Sequence, residues 1–368
     1  MSEMTLEQMK NTMLAMCRNK DLINADKAFA IKIIRDRLSF IPHQKLYKFR
    51  PCEERHFSLL SDNFIWMPPA SEFPDTLDCT IHIDSNNQEL FKKWLHPKYS
   101  LFCYLMAKRF FENEEGFAIP FSESDLAEYV DSCLDDNNCP IEKREQQFLQ
   151  THARDHQMAE KCIALNKIKT FRDKLAAKED EVGKGLVENV NEMQTQPRKT
   201  TLVYCMTESY DNNYFWKDYA SDYSGFCIEY DFSKFDTLSF NEYKNLAYLF
   251  PMIYQDDIPD IDIIPIFDGA FHTRLLHDPS WSPSPESTAN LNMQLYYKAG
   301  KYISEHEWRF SIRNENNSKQ YFPFVSRLIA GYKISNTDYS KLQMVAEDLS
   351  VPLVRQIANK AGDGFDYV

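Results

Sequence analysis

At 368 residues, with 43% hydrophobic and 14% aromatic content, the chain carries enough apolar surface to bury a large core, which excludes disorder over most of its length. Its 9 glycines form neither G-x-G-x-x-G nor G-x-x-x-x-G-K-[ST], so folds built on glycine-rich phosphate loops are excluded too. A net charge of -13 repels phosphate backbones, and any nucleic-acid partner would have to meet a local basic patch.

The N-terminal Met1–Glu7 has early acidic residues and no long apolar core, unlike a secretory signal. The apolar stretch from Leu101 to Phe111 is broken by Lys108 and Arg109, too soon for a membrane helix. The nine cysteines are odd in number, scattered and never in a C-x-x-C pair, which points to free thiols in a reducing cytoplasm.

In chain order, residues 5–40 read as two amphipathic helices, with Leu6, Met9 and Met13 and then Phe29, Ile31, Ile33, Ile34 and Leu38 at helical spacing. Pro42 ends that pattern, and strands are predicted at Leu46–Arg50 and Asn63–Met67. From about 88 to 196 the pattern is helical and strongly charged, as in an insertion. Strand signals resume at Thr201–Met206 and Gly225–Tyr230.

The stretch Ile258–Phe267 reads equally as strand or acidic loop. Residues 281–288 form a loop by composition, Asn290–Lys298 a short helix, and Leu342–Leu349 a helix. The expected organisation is α+β: a helical leader over 1–44, one domain over 45–355 with a helical insertion at about 88–196, and a tail over 356–368.

The chemistry-bearing segment is Tyr302–Ile312, expected as a strand. Alternation puts Tyr302, Ser304, His306, Trp308, Phe310 and Ile312 on one face and Ile303, Glu305, Glu307, Arg309 and Ser311 on the other. Two carboxylates and a guanidinium on one face can bind a sugar hydroxyl, activate a nucleophile or stabilise a developing cation; they can equally be a self-paired surface row.

Rival constellations are weaker. His152 and His156, at i and i+4, have zinc-chelating spacing but lack the glutamate of H-E-x-x-H, and no metal site is predicted from them. Asp75 with Asp78, or Asp256, Asp257, Asp260 and Asp262, could supply magnesium ligands for a nuclease, though no Glu-x-Lys strand accompanies them. No serine stands in a G-x-S-x-G elbow. A non-enzymatic module that binds a protein partner is the other alternative.

Leu46–Arg50, Phe64–Trp66, Ser71–Asp78, Cys205–Ser209, Phe215–Ala220, Gly225–Tyr230, Glu305–Arg309 and Leu328–Tyr332 together resemble, in order, the bacterial family catalogued as domain of unknown function 2971, over about 45–355. The family usually has Asn-Asp-Pro-Phe-Asp where this chain has Pro74–Asp78, and a His where Asp218 stands. That resemblance implies a setting in bacterial conflict or phage defence, a toxin-like effector with an unknown macromolecular target, and an antitoxin or defence-system partner.

A second resemblance is to the ADP-ribosyltransferase fold, whose Arg, Ser-x-Ser and Glu-x-Glu strands are matched in order by Arg50, Thr207–Ser209 and Glu305–Glu307. It implies a mixed or antiparallel central sheet and NAD as substrate. Arg50 would grip the phosphates; Thr207 and Ser209, with Tyr47, Trp216 and Tyr219, would complete the cofactor site. For Trp216 and Tyr219 core packing is the commoner role. Glu307 would stabilise the oxocarbenium-like centre, Glu305 would activate the acceptor, and Arg309 would complete the catalytic set.

Overall fold

The computed structural model describes residues 4–19, 26–76, 78–83, 102–122, 141–152, 158–178, 194–262, 284–313, 317–358 and 365–368, with a few single positions between them. Two compact units emerge: 1–82, 195–259 and 288–368 form the first, and 83–194 with 260–287 the second. Among the described residues no helix is long and apolar enough to cross a membrane.

The first unit is built on an eight-stranded sheet. Its strands are β1 (Lys45–Arg50), β3 (Thr201–Thr207), β4 (Phe226–Asp231), β5 (Leu249–Pro251), β8 (Glu307–Arg313), β10 (Val325–Ala330), β11 (Leu353–Ala358) and β12 (Phe365–Tyr367). They lie in the order β12-β11-β10-β4-β1-β3-β8-β5. Two-stranded ribbons pair β2 (Phe64–Trp66) with β9 (Lys319–Tyr321), and β6 (Ile253–Tyr254) with β7 (Tyr297–Lys298).

All neighbours in the large sheet are antiparallel except β10 and β11, which are joined through the helix Asn336–Leu349, as a parallel pair requires a crossover. The protein is therefore α+β, with a mixed, mostly antiparallel sheet.

Alternation along the strands decides the two faces. Leu46, Tyr204, Met206, Tyr230, Trp308, Phe310 and Leu328 share one core with Met9, Met13, Met16, Ile34 and Leu38 of the leader helices α1 (Leu6–Arg18) and α2 (Lys27–Leu38). The leader is thus part of the main core. A capping box between Thr5 and Gln8 starts α1, and Asp26 caps α2. Fully buried Arg37 on α2 donates to the carbonyls of Ala247 (2.9 Å) and Leu246 (2.5 Å) and stacks on Phe250.

On the opposite face Tyr47, Phe49, Cys227 and Ile329 pack against Trp216 and Ala220. These come from α3 (Asn213–Asp218) and the turn that follows it. That turn is left-handed at three successive residues, Ser221, Asp222 and Tyr223 (φ 48°, 52° and 68°). It is closed by Asp222 N donating to Lys217 O and Tyr223 N to Trp216 O.

The ladders are unequal. β1 and β4 share six register pairs and β3 and β8 seven, whereas β1 meets β3 at the single pair Tyr47–Thr207. The sheet therefore has a seam between β1 and β3.

Three expectations are corrected. Residues 302–312 are not one strand: Gly300–Glu305 is a 3-10 turn, His306 is left-handed (φ 42°), and the strand begins at Glu307. The turn wins because Asp256 accepts from the Gly300 amide (2.8 Å) and Thr207 Oγ1 donates to the Glu305 carbonyl (2.7 Å), holding both its ends. Tyr302, Ser304 and His306 consequently do not form a core face with Trp308. The expected helix Asn290–Lys298 is instead Pro285–Met293, followed by a 3-10 turn and β7. The expected tail 356–368 carries strand residues at the sheet edge, where Gln356, Ile357 and Ala358 of β11 pair with Tyr367, Asp366 and Phe365 of β12.

The second unit has its own core, in which Tyr104, Leu105 and Phe111 meet Phe148, Leu165 and Ile168. Its described helices include Ile141–His152 and Met158–Ala176, in keeping with the helical reading of that stretch. His156 and most of 263–283 lie outside the described residues.

Candidate functional site

Cross-strand pairing puts Tyr47, Thr207 and Glu307 in one row across β1, β3 and β8, with Cys205 and Arg309 in the next. Glu307 and Arg309 share a face because they are two apart on β8. Glu305 joins them by another route: the left-handed turn at His306 folds its side chain back beside Glu307.

Lys298 Nζ donates to both carboxylates, at 2.5 Å to Glu305 Oε2 and 2.7 Å to Glu307 Oε2. Arg309 Nε donates to Glu307 Oε1 (2.9 Å), and its two terminal nitrogens make a forked pair with Asp78 (2.7 and 3.0 Å). Further bonds to the Leu295 carbonyl (2.9 Å) and Cys79 Sγ (3.2 Å) complete the shell of this fully buried guanidinium. Every oxygen of Glu307 is therefore engaged.

The two glutamates are driven apart. Burial alone would raise Glu307, but Arg309 and Lys298 outweigh it and hold the carboxyl at about 2. Glu305 moves up: burial leads, Lys298 opposes it, and neighbouring Glu307 adds to it. Burial would lower Lys298, yet the two carboxylates raise it.

Above this floor is a pocket of ≈410 Å³. Phe73, Tyr214, Phe215, Tyr219 and Tyr302 give it aromatic walls, while Lys48, Asp75, Asp78, Lys298, Glu305, Glu307 and Arg309 give it charge. Tyr214 and Tyr219 are 45% and 43% exposed, so the wall delivered by α3 is open to solvent at its rim.

Of the residues anticipated from the sequence, Tyr47, Thr207, Tyr219, Glu305, Glu307 and Arg309 line this one pocket. Arg50, Ser209 and Trp216 do not. Arg50 alternates onto the opposite face, its guanidinium 5.4 Å from the Tyr204 ring centroid. Ser209 hydrogen-bonds Asp211 in the loop after β3. Trp216 is fully buried, stacked on Tyr223 and edge-on to Phe49, its indole N–H donating to Tyr210 O (2.7 Å).

Asp218 at the end of α3 is exposed and outside the pocket. Asp78 is bound to Arg309, and among the described residues no group of three or more His, Cys, Asp or Glu is placed to hold a metal ion.

Lys48, Lys298, Phe73 and Tyr302 were missed as site residues. Lys48 and Lys298 each sit in a short strand where a lysine signals nothing by itself. Both are found only by asking what neutralises the two glutamates and what fills the β1–β3 seam.

No curated protein and no solved structure matches the chain. The ADP-ribosyltransferase likeness is not shown by these comparisons. One family model does match, over 215–310, a span that carries α3 from Phe215 onward, β4, Lys298, Glu305, Glu307 and Arg309 but not Tyr214 or the part of the pocket contributed by β1, β3 and residues 73–78. That model is DUF2971, described as a protein of unknown function, and the match supports the family to which the sequence landmarks pointed.

Proposed function

We propose that the pocket is the active site of an enzyme that breaks an N-ribosyl bond in NAD or a related nucleotide, passing the ribosyl group to water or to an acceptor. One observation carries the reading: two adjacent carboxylates, bridged by one lysine and pushed to opposite sides of the ordinary carboxylate range, form the floor of an aromatic-walled pocket.

The charges support a cationic reacting centre. Asp78, Glu305 and Glu307 set three negative charges against the two positive ones of Lys298 and Arg309. The floor thus holds one net negative charge beneath tyrosine and phenylalanine rings, a setting that favours a pyridinium and the oxocarbenium-like ribose formed as it leaves.

In the step proposed, the C1′–N bond breaks and its electron pair departs with neutral nicotinamide. Water or an acceptor hydroxyl then attacks C1′, and its proton passes to Glu305, whose raised affinity for protons suits a base. Glu307 stays ionised and contributes charge. Arg309 touches no substrate in this scheme: it positions Glu307 and Asp78. Phosphate gripping by Arg50 is not part of it, because that side chain lies on the other face of the sheet.

Consumption of NAD would suit an effector of bacterial conflict. Incubation of the purified chain with NAD labelled in the nicotinamide tests the reaction. Release of labelled nicotinamide, slowed about 10²–10⁴-fold in Glu305→Gln, is expected; undiminished release in that variant would remove Glu305 from the mechanism, and no release by wild type would remove the reaction.

A further inference from the structure

Three cations line the pocket, and two are committed to carboxylates: Arg309 to Asp78 and Glu307, Lys298 to Glu305 and Glu307. Lys48 is the third. Its Nζ donates to the Cys205 carbonyl across the β1–β3 seam (2.7 Å) and lies 5.1 Å from the Tyr204 ring centroid. No carboxylate among the described residues forms an ion pair with it.

The charged and titratable groups that act most strongly on Lys48 are Arg50 on its own strand, Tyr204 and Cys205 on β3, Lys298 on β7 and Glu307 on β8. The one carboxylate among them has both oxygens occupied by Arg309 and Lys298. The Lys48 ammonium is therefore short of counter-charge, a costly arrangement inside a protein. Burial, and after it repulsion from Arg50, pushes its pKa down to about 8. Strand alternation starts the Lys48 side chain on the face of Arg50, but it turns into the β1–β3 seam to meet the Cys205 carbonyl; the pocket reaches into that seam, where Met206 also lines it, and Lys48, only partly buried, is open to a ligand there.

We propose that Lys48 is the anchoring point for an oxyanion of the bound ligand, a phosphate in the nucleotide class named above. The pocket then reads two ends of one molecule: a cationic ring over the Glu305–Glu307 floor and an anionic group at the seam. The inference rests on the same pocket being the ligand site, and it adds the charge that the ligand must carry.

Calorimetric titration of the full chain at about pH 8.5 with nicotinamide mononucleotide, nicotinamide riboside and inorganic pyrophosphate tests it, in wild type, Lys48→Met and Lys48→Arg. The mononucleotide is expected to bind at least about tenfold tighter than the riboside, which differs only by its phosphate. That ratio collapses to within about twofold in Lys48→Met and recovers in Lys48→Arg. Wild type takes up a fraction of a proton on binding the mononucleotide, read from titrations in two buffers of different ionisation enthalpy. Lys48→Arg binds without that uptake, because arginine is already charged.

Thermal unfolding of each variant confirms that it is folded. An unchanged ratio in Lys48→Met, no preference for the phosphorylated ligand in wild type, or no binding of any of the three overturns the proposal. Phosphate-dependent binding without release of nicotinamide leaves Lys48 in its role and sinks the N-ribosyl chemistry alone.

Discussion

Two buried carboxylate clusters stand on the same face of the sheet and are built to opposite ends. Glu229 on β4 is one carboxylate met by Lys45 (2.9 Å), Arg327 (2.6 Å), Ser326 Oγ (2.9 Å) and the Tyr47 hydroxyl (3.3 Å). The cluster at β8 holds three carboxylates on two cations. Burial is similar, with Glu229 at 3% and Glu305 at 8% side-chain exposure. Stoichiometry differs, and it decides the outcome. For Glu229 burial pushes up, but the bonds from Lys45 and Ser326 and the charge of Arg327 win and the carboxyl moves down. Glu305, sharing its one lysine with a second glutamate, moves up. A surplus of donors makes a lock; a surplus of carboxylates makes a group ready to exchange a proton.

The strongest way to break this comparison is to remove the common anchor of the β8 cluster. Arg309→Met leaves Asp78 and Glu307 buried without their guanidinium and is expected to lower unfolding free energy by about 3–5 kcal/mol, measured by urea denaturation. A loss under about 1 kcal/mol would show that the cluster rehydrates freely. Next, Glu305→Gln should reduce nicotinamide release by about 10²–10⁴-fold while leaving stability at neutral pH unchanged or slightly higher, since it removes a charge from a carboxylate-rich site.

Glu229→Gln should do the reverse, costing about 1–3 kcal/mol of stability with turnover within about twofold of wild type. The cost is smaller than for Arg309 because Lys45 and Arg327 are 34% and 26% exposed and can turn to water.

The smallest effect is on the acid limb of the stability curve. Glu307 and Glu229 have lowered folded-state pKa values, so their contributions are complete above the unfolded value near 4.5 and drain away as pH falls through the folded one, about 2 for Glu307. Glu305, raised, works the other way: its protonation favours the folded state as pH falls. Between the unfolded value near 4.5 and the raised folded one, wild type should therefore lose less stability per pH unit than Glu305→Gln as pH falls, by a few tenths of a kcal/mol. Equal slopes would mean that Glu305 titrates alike in both states.

Much of the fold was legible in the short apolar strands. β1, β3 and β4 each combine β-branched or aromatic residues in short runs, and all three lie where that pattern places them. The pairing of Glu307 with Arg309 also follows from strand period. Glu305 reaches the site despite the period, through a left-handed residue that no alternation rule anticipates.

Asp78 and Lys298 were illegible as partners because the bonds that define them join residues 231 apart for Asp78 and Arg309, and 9 apart through a turn for Lys298 and Glu307. Arg50 shows the converse: chain order suggested a place in the site, and strand parity turned its side chain away.

The single rung between β1 and β3 has a mechanical meaning. Two well-zipped half-sheets meet at Tyr47–Thr207, and a lysine reaches across the gap beside that rung. A ligand spanning the gap would act as a rivet between the halves. Deuterium uptake at the amides flanking the rung, in Lys48–Phe49 and Cys205–Met206, would then slow when the pocket is filled, while the six-pair ladder between β1 and β4 would keep its own pace.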